Sequence, residues 1–165
     1  MSDSLLQQER AEMQNPRPKI LVFACTWCAL IGADGAGRKR TPLPDNFRVI
    51  PLECAGRVEA DAVIKAFASG IDGVAVLGCH LGGCRHNGAN HRTIKKLDLL
   101  KTLLDTAGIG SKRLLISFGT VHEYHQYAEL IRAFSREMEK LPPVGGRPGP
   151  VGTGDAEHGQ ESERE

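Results

Sequence analysis

The sequence lacks a long apolar run, a strong excess of charge and an export signal. No apolar stretch approaches the roughly 18 residues of a transmembrane helix. The net charge of +1 gives no electrostatic reason to expect nucleic acid or a membrane surface as a partner. The opening MSDSLLQQERAEMQNPRP has no apolar core and carries acidic groups, unlike a signal peptide. We therefore expect a cytoplasmic protein whose thiols stay reduced, with no membrane insertion and no nucleic-acid partner.

Several familiar functional motifs are also missing. There is no Walker sequence, and GADGAG has glycines at 32, 35 and 37, which is not the dinucleotide-binding spacing. We interpret GADGAG as a tight, close-packed turn. No nucleophile stands out beside a general base, so we do not expect this chain to catalyse a reaction on its own.

Short apolar runs alternate with helical patterns along the middle of the chain. KILVFAC, NFRVIPLEC, DGVAVLGC and KRLLISF are typical of buried strands, although Pro51 either weakens the second prediction or places that strand near an edge or a strand end. Apolar residues at helical spacing predict helices over Glu59–Ser69, His91–Ala107 and His122–Leu141, with a short one from about Trp27 to Ile31. The order βαβαβαβα predicts an α/β fold with a small, four-stranded, mostly parallel sheet flanked by helices.

This alternating region is expected to form one domain between two polar ends. We predict a flexible leader over residues 1–17 and the α/β domain over residues 18–141. The remainder, PPVGGRPGPVGTGDAEHGQESERE (residues 142–165), is rich in proline, glycine and charge and has no apolar period. It is therefore expected to be disordered.

The five cysteines are the most informative feature of the sequence. Cys25, Cys54 and Cys79 close the first three predicted strands. Cys28 follows one helical turn after Cys25, and Cys84 lies in the loop after the third strand. Because ligands bind beyond the carboxyl ends of parallel strands, we expect the five thiols to converge on that edge of the sheet.

Several kinds of site could use such thiols. A disulfide scaffold suits an intracellular chain with a full core poorly, and burial as small apolar side chains does not explain all five. CTWC fits a thiol–disulfide oxidoreductase, but that leaves three cysteines without a role. A zinc-stabilised binding module is a closer alternative, because His80, His86 and His91 lie nearby. Four or five strand-end thiolates favour an iron–sulfur cluster modestly over zinc.

Four further residues are candidates to surround such a cluster: Trp27, Arg57, His80 and His86. Trp27 stands inside CTWC. Arg57 follows Cys54 closely, where it would bring positive charge to an anionic cluster or pair with a carboxylate of a partner; the alternative is an ordinary surface arginine. The two histidines are either hydrogen-bond donors to sulfur or polar loop residues.

Three stretches of the sequence resemble a known family: FACTWCALIGADGAGRKR, NFRVIPLECAGRVEADAVIKAFASGIDGVAVLGCHLGGCRH and NGANHRTIKKLDLLKTLLDTAGI. With their C-x-W-C, C-x-G-R-V and G-C-H-x-G-x-C elements, they look like the delta subunit of methyl-viologen-reducing hydrogenase, over roughly Lys19 to Leu141. The resemblance implies a small [2Fe–2S] protein. Such a protein relays electrons between a partner oxidoreductase (a hydrogenase, formate dehydrogenase or other reductase) and a flavoprotein resembling the A subunit of heterodisulfide reductase.

The family's motif cysteines fall on all five cysteines of this chain, which is one more than a [2Fe–2S] cluster needs. Three of them stand at strand ends and should face one point, and Gly82 and Gly83 give the Cys84 loop the freedom to fold back. We therefore predict four ligands, with Cys28 as the fifth candidate: Cys25, Cys54, Cys79 and Cys84.

The sequence departs from the family pattern at three positions. Thr26 stands where the family usually has Asn, Gly83 where Asp is common, and Asn87 where an aromatic residue is frequent. None of these changes removes a cysteine. They are expected to alter the hydrogen bonding around a cluster, and with it the reduction potential.

Overall fold

The chain alternates strands and helices in the predicted order. The computed structural model describes residues 17–119 and 122–145. Its elements are β1 (Ile20–Cys25), α1 (Ala29–Arg38), β2 (Phe47–Leu52), α2 (Ala60–Ala68), β3 (Gly73–Gly78), α3 (Ala89–Thr106), β4 (Leu114–Phe118) and α4 (Tyr124–Glu139). Short 3-10 turns over Ala55–Arg57 and Ser111–Arg113 precede α2 and β4. Most of the predicted leader, and the predicted tail from residue 146 onward, lie outside the described residues.

The sheet has four strands in the order β2-β1-β3-β4, and every pair is parallel, which confirms the predicted fold class. Pro51 lies within β2, beside Ala24 of β1. Because β2 is an edge strand, a residue without a backbone N–H is tolerated there, as predicted. In the part of the chain that is described, no helix is long and apolar enough to cross a membrane.

The helices cover both faces of the sheet and give three layers. Val22 and Leu77 point to the face covered by α1 and α4, where Ile131 of α4 is fully buried. Phe23 and Val76 point to the opposite face, which α2 and α3 cover. The central strand β3 is buried along its whole length, which explains why its sequence is a continuous apolar run rather than an alternating one.

GADGAG is not the tight turn that the sequence suggested; it lies inside α1, which is also longer than predicted. Glycine costs about 1 kcal/mol relative to alanine within a helix, so a short segment with three glycines is a poor helix in isolation. Packing against α4 offsets this cost. A Cβ built on Gly35 would stand 3.0 Å from the Cβ of Tyr124, so the absence of a side chain at residue 35 lets α4 approach closely.

The predicted apolar stripes of two helices differ in how well they match the packed faces. On α4, Tyr127, Phe134 and Met138 are buried as the period predicts. On α2, Val63 is buried, but Ile64 is 47% exposed rather than part of the same packed face.

Asp72 joins both ends of the described domain at the amino edge of the sheet. Its buried side chain accepts hydrogen bonds from the backbone amide of Lys19 at 2.8 Å and from that of Val144 at 3.0 Å. The buried Arg113 side chain donates to the backbone carbonyls of Asp72 and Pro142. Residues 142–144, which the sequence assigned to the tail, therefore contact the domain.

Candidate metal centre

Two cysteines lie at the centre of the carboxyl edge of the sheet. Cys25 is the last residue of β1, and Cys79 directly follows β3. These neighbouring strands lead to helices on opposite faces of the sheet. In a doubly wound sheet that switch point opens a crevice, the usual place for a ligand.

The Cys25 and Cys79 sulfurs are 3.5 Å apart. Two thiolates on one tetrahedral ion, each about 2.3 Å from it, would lie about 3.8 Å apart. The Cys28 thiol also lies within interacting distance of Cys79. Three thiols therefore cluster at the end of the two central strands.

The other two cysteines form a second pair beside this cluster. Cys54 lies two residues beyond β2, and its sulfur accepts a hydrogen bond from the backbone amide of Gly56 at 3.3 Å. The thiol of Cys84 contacts that of Cys54, and Cys25 is close enough to Cys54 to interact electrostatically. The five cysteines are thus linked through neighbouring pairs along one edge of the sheet.

The pKa values of three thiols on this edge are shifted from the ordinary cysteine value, and not all in the same direction. Burial raises the pKa of Cys79 well above its ordinary value, with further contributions from Cys28 and Cys25. Burial likewise raises the pKa of Cys54, although the Gly56 amide acts against it. Burial would also raise the pKa of Cys84, but backbone amides at the start of α3 outweigh it, so this pKa is lowered. Cys84 is therefore easier to ionise than an ordinary cysteine, and the thiolate is the form of the side chain that binds a metal.

The backbone amides beside Cys84 belong to the turn that begins α3. Asn87 and Gly88 both have positive φ, 42° and 69°, and they turn the chain from the Cys84 loop into the helix. The amides of His86, Asn90 and Ala89 then face the Cys84 sulfur. Partial positive charge at a helix N-terminus stabilises a nearby anion.

The four candidate neighbours occupy different positions around this edge. Trp27 is 48% exposed, and the Arg85 guanidinium lies 4.1 Å above its ring centroid. This contact joins the Cys25–Cys28 segment to the loop that carries Cys84. Arg57 instead pairs with Glu53 at 3.1 Å and is mostly exposed, and its role beside a cluster stays a prediction.

The two candidate histidines are both exposed. The His80 ring Nδ1 contacts the carbonyl oxygen of Leu81 at 2.8 Å. His86 lines a groove of about 390 Å³ beside Cys54, together with Arg57, Arg92 and Lys96. A role of either histidine as a donor to sulfur remains a prediction.

Two residues of this edge were not singled out from the sequence. Gly56 lets α3 approach Cys54, since a Cβ there would stand only 2.9 Å from that of Ala89. Asn90 is 2% exposed, and its side chain binds the carbonyls of Cys79 and His80. Gly56 is the glycine of the C-x-G-R-V element and Asn90 lies six residues after Cys84, and these positions are the sequence signals that could have suggested them.

The arrangement of the thiols suits a site with two metal ions, each bound by two cysteines, better than a site with one ion. Among residues 17–119 and 122–145, no three Cys, His, Asp or Glu side chains are arranged to hold a single ion. Thiols in neighbouring pairs are what a binuclear cluster uses, because each of its two irons takes two protein ligands.

Comparison with known proteins identifies the family. Residues 20–142 match the family described as methyl-viologen-reducing hydrogenase, delta subunit. The chain belongs to this family. All five cysteines of this delta-subunit family member lie inside the matched region.

Individual relatives agree with this assignment. The family member is 36% identical to the iron-sulfur D subunit of F420-non-reducing hydrogenase from Archaeoglobus profundus over 126 residues, 76% of this chain and 92% of that protein. It is 39% identical to the vhc iron-sulfur D subunit of F420-non-reducing hydrogenase from Methanococcus voltae over 102 residues, 62% of this chain and 71% of that protein.

A third relative has a different organisation. The chain is 32% identical to the A subunit of Ferredoxin:CoB-CoM heterodisulfide reductase from Methanosarcina mazei. The aligned region of 146 residues covers 87% of this chain. The match spans only 18% of that longer protein. A region similar to this chain therefore also occurs within a larger polypeptide.

Proposed function

We propose that this delta-subunit family member is an electron-transfer protein that holds a [2Fe–2S] cluster at the carboxyl edge of its sheet. The observation that carries the proposal is the proximity of the five thiols, with the Cys25 and Cys79 sulfurs 3.5 Å apart at the switch point. The names of the two hydrogenase relatives, which describe iron-sulfur subunits, support it. Such a cluster supplies reversible one-electron transfer when bound.

Four cysteines are proposed as the ligands. Cys25 and Cys79 form one pair, and Cys54 and Cys84 form the other. Cys28 touches Cys79 from the start of α1 and is the alternative member of the first pair. The pairing accounts for the separate locations of the two groups of thiols on the edge.

The residues around the thiols stabilise negative charge on sulfur and keep most of the sulfur atoms away from water. The Gly56 amide donates to the Cys54 sulfur, and the first turn of α3 directs amides at Cys84. Both interactions stabilise negative charge on sulfur, which favours the reduced form of a cluster. Cys25, Cys54 and Cys79 are buried, so protein rather than water surrounds most of the donor set.

The proposed partners are a hydrogenase or another oxidoreductase on one side and a flavoprotein like the A subunit of heterodisulfide reductase on the other. The names of the relatives include both classes of protein. The exposed Trp27 and Leu81 at the cysteine edge are 48% and 43% accessible and suit a surface that another chain covers. In this proposal the chain carries electrons and does not act on a substrate by itself.

The proposal is tested by metal analysis of anaerobically purified protein. We expect about two irons and two acid-labile sulfides per chain, with the spectrum of a [2Fe–2S] centre. Stoichiometric zinc without iron would support the zinc-module alternative instead. A metal-free protein with a reversible Cys25–Cys28 disulfide would support a thiol oxidoreductase.

Single Cys→Ala variants then test the ligand assignment. Variants of the four proposed ligands should lose iron or change the spectrum of the reduced cluster, while Cys28→Ala should retain both. If Cys28→Ala loses the cluster and Cys25→Ala keeps a native spectrum, the first pair is Cys28 and Cys79. That result would change the ligand assignment but not the proposal that the protein binds a cluster.

A further inference from the structure

Asn90 connects the loop after β3 to the first turn of α3. Its side-chain Nδ2 donates to the carbonyl of His80 at 3.0 Å and, more weakly, to that of Cys79 at 3.4 Å. Its Oδ1 accepts from the backbone amide of His91 at 3.0 Å. At 2% exposure, this amide has a partner for both its donor and its acceptor groups. Breaking these bonds would take this donor away from the carbonyls of Cys79 and His80 and release the loop from the helix.

This connection involves both proposed pairs of cysteine ligands. Cys79 belongs to the first pair and is the residue whose carbonyl Asn90 binds. Cys84 belongs to the second pair and lies against the backbone amides of the α3 turn that contains Asn90. The Asn90 side chain therefore joins the backbone at one thiol to the helix that faces the other.

We propose that Asn90 is a positioning residue for the cluster: it fixes the Cys79 loop against the N-terminus of α3 and so helps to set the reduction potential. The inference rests on the proposed [2Fe–2S] function. Amide groups directed at a ligating sulfur favour the reduced, more negative cluster. Releasing α3 from the Cys79 loop weakens that effect at Cys84 and lowers the potential.

Two variants test whether the hydrogen bonds of Asn90, and not merely a polar side chain at this position, are needed. Asn90→Ala removes every side-chain hydrogen bond. Asn90→Asp keeps an acceptor for the His91 amide but cannot, as a carboxylate, donate to the Cys79 and His80 carbonyls. Both variants should lower the potential, and in the second the added negative charge acts in the same direction.

Ser135→Ala is the matched control. Ser135 is also buried, at 3% exposure, and hydrogen-bonds to Asn46. Asn46 directly precedes β2, so this contact lies at the edge of the sheet away from the cysteines. The control should lower the melting temperature and leave the cluster unchanged.

The experiment uses the full chain, loaded with iron and sulfide under anaerobic conditions. A redox titration followed by electron paramagnetic resonance gives the potential and the spectrum. For both Asn90 variants we expect the ratio of oxidised to reduced cluster, measured at the wild-type midpoint potential, to rise at least tenfold. This corresponds to a midpoint potential lower by about 59 mV for one electron. The spectrum should shift with it, and Ser135→Ala should match wild type in both measurements.

Alkylation of the apoprotein, read by mass spectrometry, gives a second measurement that needs no iron. Cys79 is 5% exposed, so its reaction with iodoacetamide should be slow in wild type and at least several-fold faster in the Asn90 variants, relative to Cys28. Ser135→Ala should keep the wild-type ratio. Loss of iron from an Asn90 variant whose apoprotein still unfolds cooperatively would also support the positioning role.

Two results would overturn the inference. One is a wild-type potential, spectrum and alkylation ratio in both Asn90 variants. The other is failure of both variants to fold as apoproteins, which would make Asn90 a residue that the fold itself requires. A wild-type protein that takes up no iron would instead refute the proposed function, and the alkylation ratios would still decide whether Asn90 positions Cys79.

Discussion

Replacing Gly56 by alanine tests how closely the helices must pack at the cysteine edge. The added Cβ would stand 2.9 Å from the Cβ of Ala89 and 3.4 Å from the Cys54 sulfur. Carbon atoms in contact prefer about 3.5–4.0 Å, so α3 and the Ala55–Arg57 turn must separate by at least about 0.6 Å. Overpacking of this kind costs about 1–3 kcal/mol, and the reduced flexibility of the unfolded chain returns about 0.4–1 kcal/mol. We expect a net loss of about 1–2 kcal/mol in the free energy of unfolding.

Gly37→Ala provides the control for the same chemical change. Gly37 lies in α1, and no atom stands within 4 Å of its added Cβ. Alanine is the better helix former by up to about 1 kcal/mol, so this variant should be as stable as wild type or more so. Anaerobic urea unfolding of the apoproteins measures both, and the iron content of loaded protein should fall only in Gly56→Ala. Equal stability and equal iron content in the two variants would refute the close approach of α3 to Cys54.

Two further predictions concern stability. A chain ending after Leu141 loses the hydrogen bonds that Pro142 and Val144 make with Arg113 and Asp72. Because each bond contributes about 1.5 kcal/mol, this chain should melt roughly 10 °C below one that ends after Gly145. Equal melting by calorimetry would contradict this. The Tyr127 hydroxyl is buried and has no hydrogen-bond partner in the described part of the chain, so Tyr127→Phe should stabilise by about 1 kcal/mol. Burial raises the pKa of Tyr127 from 10.0 to about 12. The unfolded chain therefore loses this proton first, and wild-type stability should fall between those pH values by about 1.4 kcal/mol per unit, a slope that Tyr127→Phe should reduce.

The sheet could be predicted because parallel strands covered on both faces are nearly continuous apolar runs. β3 shows this most plainly, since all its residues are buried. The length of α1 could not be predicted in the same way. Its glycines disfavour a helix locally, and only the contact with Tyr124, about 90 residues later in the chain, shows why residue 35 is small.

The grouping of the cysteines follows from topology, but their individual directions do not. A parallel sheet brings the ends of β1 and β3 together whatever the side chains are. The direction of Cys28 depends on how α1 begins, with φ −131° and ψ −69° at that residue. Asn90 was missed because its partners lie 10 and 11 residues earlier in the chain, across a loop whose path no local pattern specifies.

The shared contact of Lys19 and Val144 with Asp72 has a consequence for how the domain can be attached to other proteins. Both ends of the described domain meet at the amino edge, and the length of a six-residue strand, roughly 20 Å, separates that edge from the thiols. A tether or purification handle joined at either end therefore starts away from the cysteine surface. Tethering of this kind raises the effective concentration of a redox partner without occupying the surface where it must dock. The same geometry would let such a domain work inside a longer chain.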